Sequence, residues 1–201
     1  MPQPNNLLAP SASVSREQRE ARNGHRGLSI LLTGLPAAGK STLAQALHAE
    51  LFERGVQSVV LDGDGLRVGL NRDLGFTDSD RQENIRRASE LAALLVENGQ
   101  IVILAMIAPL VELRDIFARR LGEDYREVWC RADLAVCEQR DPKGHYARAR
   151  RGDLAGFTGI CAPYETPLSA SLVLDTGVQS VEACLDRLLN WLGECAVLPK
   201  R

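Results

Sequence analysis

The chain has 201 residues, 45% of them hydrophobic and 25% charged, values that fit one globular domain and exclude wholesale disorder. Lys plus Arg number 24 against 26 Asp plus Glu, a net charge of −2, which argues against a general nucleic-acid binder. The five cysteines, at 130, 137, 161, 184 and 195, form no C-x-x-C pair and read as reduced thiols, so the cytoplasm is the expected compartment.

Residues 1–14 are rich in Pro, Asn, Ser and Ala and read as a tail without a signal peptide, and Ser15 is placed to cap a short helix through Arg22. Residues 1–26 are thus expected as a tail with one helix, and 27–201 as the folded domain. From Leu28 onward strand-like and helix-like segments alternate. Leu28 to Thr33 is a short apolar strand, followed by a helix from Ser41 to Arg54 with Leu43, Ala46, Leu47 and Leu51 on one stripe. Val56 to Leu61 reads as the second strand. Ser79 with Gln82 has the spacing of a capping box opening a long helix to Asn98. Ile101 to Met106 is a third strand, too short with its flanks to span a membrane. A helix from Leu110 to Leu121, a strand from Arg126 to Cys130 and a helix from Leu134 to Arg140 follow. Residues 141–170 lack periodicity, Leu172 to Asp175 is a fifth strand, and Val181 to Leu192 a final helix. Such alternation predicts an α/β fold, a three-layer domain with a parallel five-stranded sheet between helices, and a ligand site beyond the carboxyl ends of the strands; with the Gly34-to-Ser41 segment that follows the first strand, it reads as P-loop nucleoside triphosphate hydrolase-like.

The segment after the first strand is Gly34-Leu35-Pro36-Ala37-Ala38-Gly39-Lys40-Ser41, a G-x-x-x-x-G-K-S phosphate loop in its proper strand-to-helix context. Its amides and the helix N-terminus suit the phosphates of ATP, Lys40 can reach the β- and γ-phosphates, and the Ser41 hydroxyl can ligate Mg²⁺. After the second strand stand Asp62, Asp64 and Arg67. Either carboxylate could organise Mg²⁺ or accept a proton from an attacking hydroxyl, and Arg67 suits an oxyanion.

Longer stretches make the pattern specific: Asp62-Gly-Asp64-Gly-Leu-Arg67-Val-Gly-Leu70, Asp73-Leu-Gly-Phe76-Thr-Asp-Ser-Asp80-Arg81, Glu83-Asn84-Ile-Arg86-Arg87, Cys137-Glu-Gln-Arg140-Asp-Pro-Lys143-Gly144, and Phe157-Thr-Gly-Ile160 before Pro163-Tyr-Glu165. Together they resemble the adenylyl-sulfate kinases over nearly the whole chain. The resemblance implies transfer of the γ-phosphate of ATP to the 3′-hydroxyl of adenylyl sulfate (APS), giving 3′-phosphoadenylyl sulfate (PAPS) in sulfate assimilation, and a homodimer. It implies that Arg67, Arg81 and Asn84 contact APS, that Phe76 and Phe157 sandwich its adenine, that Ile107 and Lys143 belong to the acceptor side, and that Arg140 belongs to the ATP side. Asp64 is then the better candidate for activating the hydroxyl and Asp62 for organising Mg²⁺ water, although the two roles could be reversed. Arg67 and Arg81 read as free cations, and the basic run from Arg140 to Arg151 as a lid within about 140–170. Glu165 either pairs with that lid or lies exposed.

Several positions depart from the family pattern. Ala108 stands where the family has a Ser, Leu110 and Val111 replace Tyr and Arg, Cys161 replaces Asp, and Arg131-Ala132-Asp133 replaces Asp-Thr-Pro. Ala108 can form no phosphoenzyme, and direct in-line transfer needs none. Ala108, Leu110 and Val111 keep one rival open, a related P-loop kinase acting on another nucleotide-linked oxyanion; a rival of another class is a catalytically silent nucleotide-binding partner of the preceding sulfurylase, against which intact Lys40, Ser41, Asp62 and Asp64 argue.

Overall fold

A computed structural model describes residues 13–198. The expected tail therefore lies, for residues 1–12, outside the described residues. Five strands, β1 (Leu28–Thr33), β2 (Ser58–Asp62), β3 (Ile101–Ala105), β4 (Tyr125–Cys130) and β5 (Leu172–Leu174), form one parallel sheet in the order β2-β3-β1-β4-β5. Having built β2 and β3 on one side of β1, the chain crosses to build β4 and β5 on the other. The segment after the central β1 therefore sits at the reversal of strand order, where open α/β sheets bind ligands.

Side chains alternate across this sheet because the strand period is two. Leu28, Ile30, Leu32, Ile101 and Ile103 pack on one face against α2 (Lys40–Glu53) and α8 (Val181–Glu194), through Leu43, Leu47, Leu51, Leu188 and Leu192. Leu31, Val102 and Leu104 pack on the other against α4 (Asp78–Glu97) and α5 (Val111–Leu121), through Ile85, Ala88, Ala92 and Phe117. Both faces being covered, β1 and β3 are buried end to end, which explains their unbroken apolar runs. The expected three layers and five parallel strands are thus present.

Other expectations shift. The capping box of α4 is made by Thr77 with Asp80: the Thr77 hydroxyl accepts from the Asp80 N–H and the Asp80 carboxylate from the Thr77 N–H. Ser79 lies inside the helix and hydrogen-bonds Thr77 Oγ1, so the Ser79–Gln82 spacing is coincidental. β2 starts at Ser58, two residues later than expected, and runs on to Asp62. Two short helices fall where none was expected, α3 (Gly63–Val68) and α7 (His145–Arg150). The short helix α1 (Arg16–Asn23) has no buried residue. It is held by charge instead, with Arg16 bonded to Asp124 and Glu20 accepting from the Gly27 N–H at 2.9 Å. The remaining helix, α6 (Leu134–Arg140), leads into the basic run. Among the described residues no helix is long and apolar enough to cross a membrane, and all five cysteines are free.

Candidate active site

The phosphate loop leaves the carboxyl end of β1 and turns into α2. Gly34 passes so close to β4 that a Cβ placed on it would lie 2.5 Å from the Cys130 carbonyl oxygen. A backbone atom of a central strand cannot move aside, so Gly34→Ala should lower stability by about 1–3 kcal/mol. A thermal melt checks this, and an unchanged midpoint would contradict it. Gly39, at φ +91°, caps α2, and Ala37 is left-handed at φ +60°, a conformation rare without glycine. These torsions bend the loop so that its amides can converge on an anion.

Lys40 is buried, and its Nζ donates to the loop's own Gly34 and Leu35 carbonyls at 3.0 and 2.7 Å. Burial pulls its pKa from the ordinary 10.5 down to about 8, partly offset by the Cys130 and Cys137 thiols and by Asp62 and Asp64. Ser41 Oγ donates to Asp62 Oδ2 at 2.6 Å. The other Asp62 oxygen accepts from the Asp64 N–H at 2.9 Å and so caps α3, which turns the Asp-Gly-Asp segment into a helix start. A hydroxyl and a carboxylate are hard oxygen donors, the set that suits Mg²⁺ shared with phosphate oxygens. No group of three or more His, Cys, Asp or Glu side chains fit to hold a metal occurs among the described residues.

A cavity of about 730 Å³ opens over these strand ends. Every candidate residue lines it except Gly34, Leu35 and Ala38. The phosphate loop, Asp62, Asp64, Arg67, Phe76, Arg81, Asn84, Ile107, Arg140, Lys143 and Phe157 therefore share one space. Arg67 and Arg81 are not free. Arg67 donates to the Gly75 carbonyl at 2.6 Å and lies 4.5 Å from the centroid of the exposed Phe76 ring. Arg81 donates to Phe76 O at 3.0 Å and Gly156 O at 2.9 Å, joining the two loops that carry the candidate adenine-stacking rings. Carbonyls satisfy N–H groups without neutralising charge, so both guanidiniums still present positive charge to the cavity. Burial, then the charge of Arg81, pulls the Arg67 pKa downward.

The basic run splits in two. Arg140 donates to Thr176 O at 2.7 Å and Ala37 O at 3.4 Å, and Lys143 is paired with Asp64, so these two face the site. Arg150 pairs with Glu138 and Arg151 with Asp153 at the surface. Glu165 is exposed, one of its two expected states, and its Oε2 accepts from the Val111 N–H at 2.6 Å, capping α5, whose own N-cap, Leu110, offers no side-chain acceptor. Ala108, at φ +40°, is buried, and its carbonyl accepts from Arg114 at 3.0 Å.

Two contributors lie outside the motifs. The buried Tyr146 donates its hydroxyl to Pro36 O at 2.9 Å and meets Phe157 edge-on, with ring centroids 4.9 Å apart. It thereby connects the basic segment, the phosphate loop and one candidate stacking ring. Thr176, whose carbonyl holds Arg140, lines the cavity just after β5. The strand-end rule points to Thr176 from sequence, whereas Tyr146 carries no such signal.

A family model described as adenylylsulphate kinase matches residues 26–175. A probable adenylyl-sulfate kinase of Bacillus subtilis is 50% identical over 183 residues, covering 90% of this chain and 92% of that protein. A Mycobacterium tuberculosis APS kinase solved in complex with AMPPNP and APS is 42% identical at a TM-score of 0.80, covering 84% of this chain and 99% of that one. A hexameric APS kinase from Thiobacillus denitrificans is 28% identical at a TM-score of 0.66, covering 88% of this chain but 30% of that one. With a phosphate loop, two strand-end carboxylates and two arginine-braced aromatic loops around one cavity, the chain belongs to the adenylyl-sulfate kinase family.

Proposed function

We propose that this adenylyl-sulfate kinase assigns its residues as follows. ATP lays its phosphates in the amide cradle of 34–41, flanked by Arg140. The acceptor APS enters the other end of the cavity. Phe76 and Phe157 take its adenine, Arg67 and Arg81 its phosphosulfate charge, and Asn84, Ile107 and Lys143 complete its pocket. Asp64 accepts the proton of the 3′-hydroxyl as that oxygen bonds to the γ-phosphorus. The bond to the bridging oxygen breaks and ADP leaves. Ser41 and Asp62 would hold Mg²⁺, which when bound offsets charge on the phosphate oxygens.

The observation carrying this reading is that both carboxylates line a single cavity together with the phosphate cradle and the arginine-braced aromatics. The active groups are satisfied by one another. Lys40 is turned onto loop carbonyls, Ser41 onto Asp62, and Lys143 onto Asp64. Lys143 engages only one oxygen of Asp64, and the other carboxylate oxygen is the one proposed to accept the proton.

Incubation with ATP, Mg²⁺ and APS against a panel of other nucleotides, read by mass spectrometry, tests the reading. PAPS and ADP in equal amounts are expected, and phosphorylation of another nucleotide in preference to APS would overturn it. Arg67→Ala should raise the APS KM about tenfold or more, as loss of a charge-assisted contact does, and leave the ATP KM within about twofold. Free thiols fit a reducing cytoplasm, and a place in sulfate assimilation is proposed from the family alone. A homodimer is the proposed assembly, and equilibrium sedimentation distinguishes it from a monomer or a hexamer.

A further inference from the structure

Between α3 and α4 the chain makes a tight loop, and at its start Asn71 is fully buried. Its backbone closes the loop: its N–H donates to Leu66 O at 2.8 Å and its carbonyl accepts from Leu74 N at 3.0 Å. Its side chain does something the loop does not need. Asn71 Nδ2 donates to Asn84 Oδ1 at 2.9 Å, and Asn71 Oδ1 has no hydrogen-bond partner among the described residues. An unpaired buried carbonyl oxygen costs free energy, and a leucine of similar size would avoid that cost. The opposite orientation of the pair would leave both N–H groups of Asn71 unpaired, against one N–H and the carbonyl in this one, and buried orphan N–H groups are rarer than orphan carbonyls.

The consequence falls on Asn84, which is itself buried to 4% exposure yet lines the cavity. With its oxygen engaged by Asn71, its amide nitrogen is the end left for a ligand, and Asn84 meets that ligand as a donor.

We propose that Asn71 is a positioning residue for the acceptor: its side-chain N–H fixes the polarity of the Asn84 carboxamide, so that a hydrogen-bond donor is presented to an acceptor-type oxygen or ring nitrogen of APS. This rests on the reading that Asn84 contacts APS.

Three variants in a two-substrate steady-state assay test it, each with a thermal melt. Asn84→Ala checks the underlying reading and should raise the APS KM. Asn71→Leu keeps the volume and removes the donor. It should raise the APS KM about fivefold or more, with the ATP KM within about twofold. Asn71→Asp adds a signature that packing cannot imitate. Protonated, its carboxyl still donates to Asn84 Oδ1, but ionised it only accepts and turns the Asn84 amide inward. Its APS KM, relative to wild type, should therefore climb with pH, whereas that of Asn71→Leu should not. If one Asn71 variant does not fold, the other carries the test.

An APS KM unchanged in the folded Asn71 variants, with Asn84→Ala impaired, overturns the proposal alone. So does a rise for both substrates alike, or a pH profile for Asn71→Asp that parallels wild type. An unimpaired Asn84→Ala removes the underlying reading and the proposal with it.

Discussion

Lys40→Met should lower kcat by about a thousandfold, because the loop then lacks the one mobile cation that can follow charge onto the transferred phosphoryl group. The same variant should be more stable than wild type at pH 7. Burial holds the Lys40 pKa at about 8, against 10.5 ordinarily. Between those values the folded chain binds fewer protons than the unfolded one, so stability rises with pH across that window. Below pH 8 the lysine is charged in both states and carries its full cost, about 3 kcal/mol by the difference in pKa. Methionine removes that cost but leaves the Gly34 and Leu35 carbonyls without their donor, which returns part of the gain. The expected net effect is on the order of 1 kcal/mol in favour of the variant at pH 7, fading above about pH 10. Melts at both pH values and a turnover assay check it. An inactive variant less stable than wild type at pH 7 would show that the carbonyl contacts outweigh the buried charge.

Asp64→Asn should lower kcat by about a hundredfold to ten-thousandfold while the ATP KM stays nearly constant, as expected when a general base is lost and the nucleotide site is intact. The geometry separates this carboxylate from its neighbour. Asp62 is tied to Ser41 and to the first turn of α3, whereas Asp64 is exposed and its carboxylate is partnered, among the described residues, by Lys143 alone. Asp62→Asn should instead raise the Mg²⁺ concentration needed for half-maximal rate. If Asp62→Asn abolished turnover at saturating Mg²⁺ and Asp64→Asn were mild, the two roles would be exchanged. Lys143→Ala separates the lid's contribution, since it removes the partner of Asp64 without touching the carboxylate.

Local sequence determined much of this protein. The apolar runs of β1 and β3, the leucine stripe of α2 and the G-x-x-x-x-G-K-S turn between strand and helix each depend on neighbours within a few residues. Backbone sterics and side-chain periodicity therefore made them legible, and with them the three layers and the phosphate cradle. The order of motifs along the chain made the family legible as well.

What only the tertiary structure decided involves partners far apart in sequence. The caps show the difference. Thr77 and Asp80 are three residues apart, and the competing Ser79–Gln82 spacing looks equally good until a backbone exists, while Glu165 caps α5 from 54 residues away. Arg67 and Arg81 read as free cations because the carbonyls they hold are main-chain groups, which every residue carries and no pattern marks. Tyr146 joins Pro36 and Phe157, and Asn71 joins Asn84, through single hydrogen bonds or ring edges that leave no periodic trace. Periodicity and motif spacing record a residue's relation to its own segment. The direction of a donor, and the distant group that fixes it, exist only once the segments are packed.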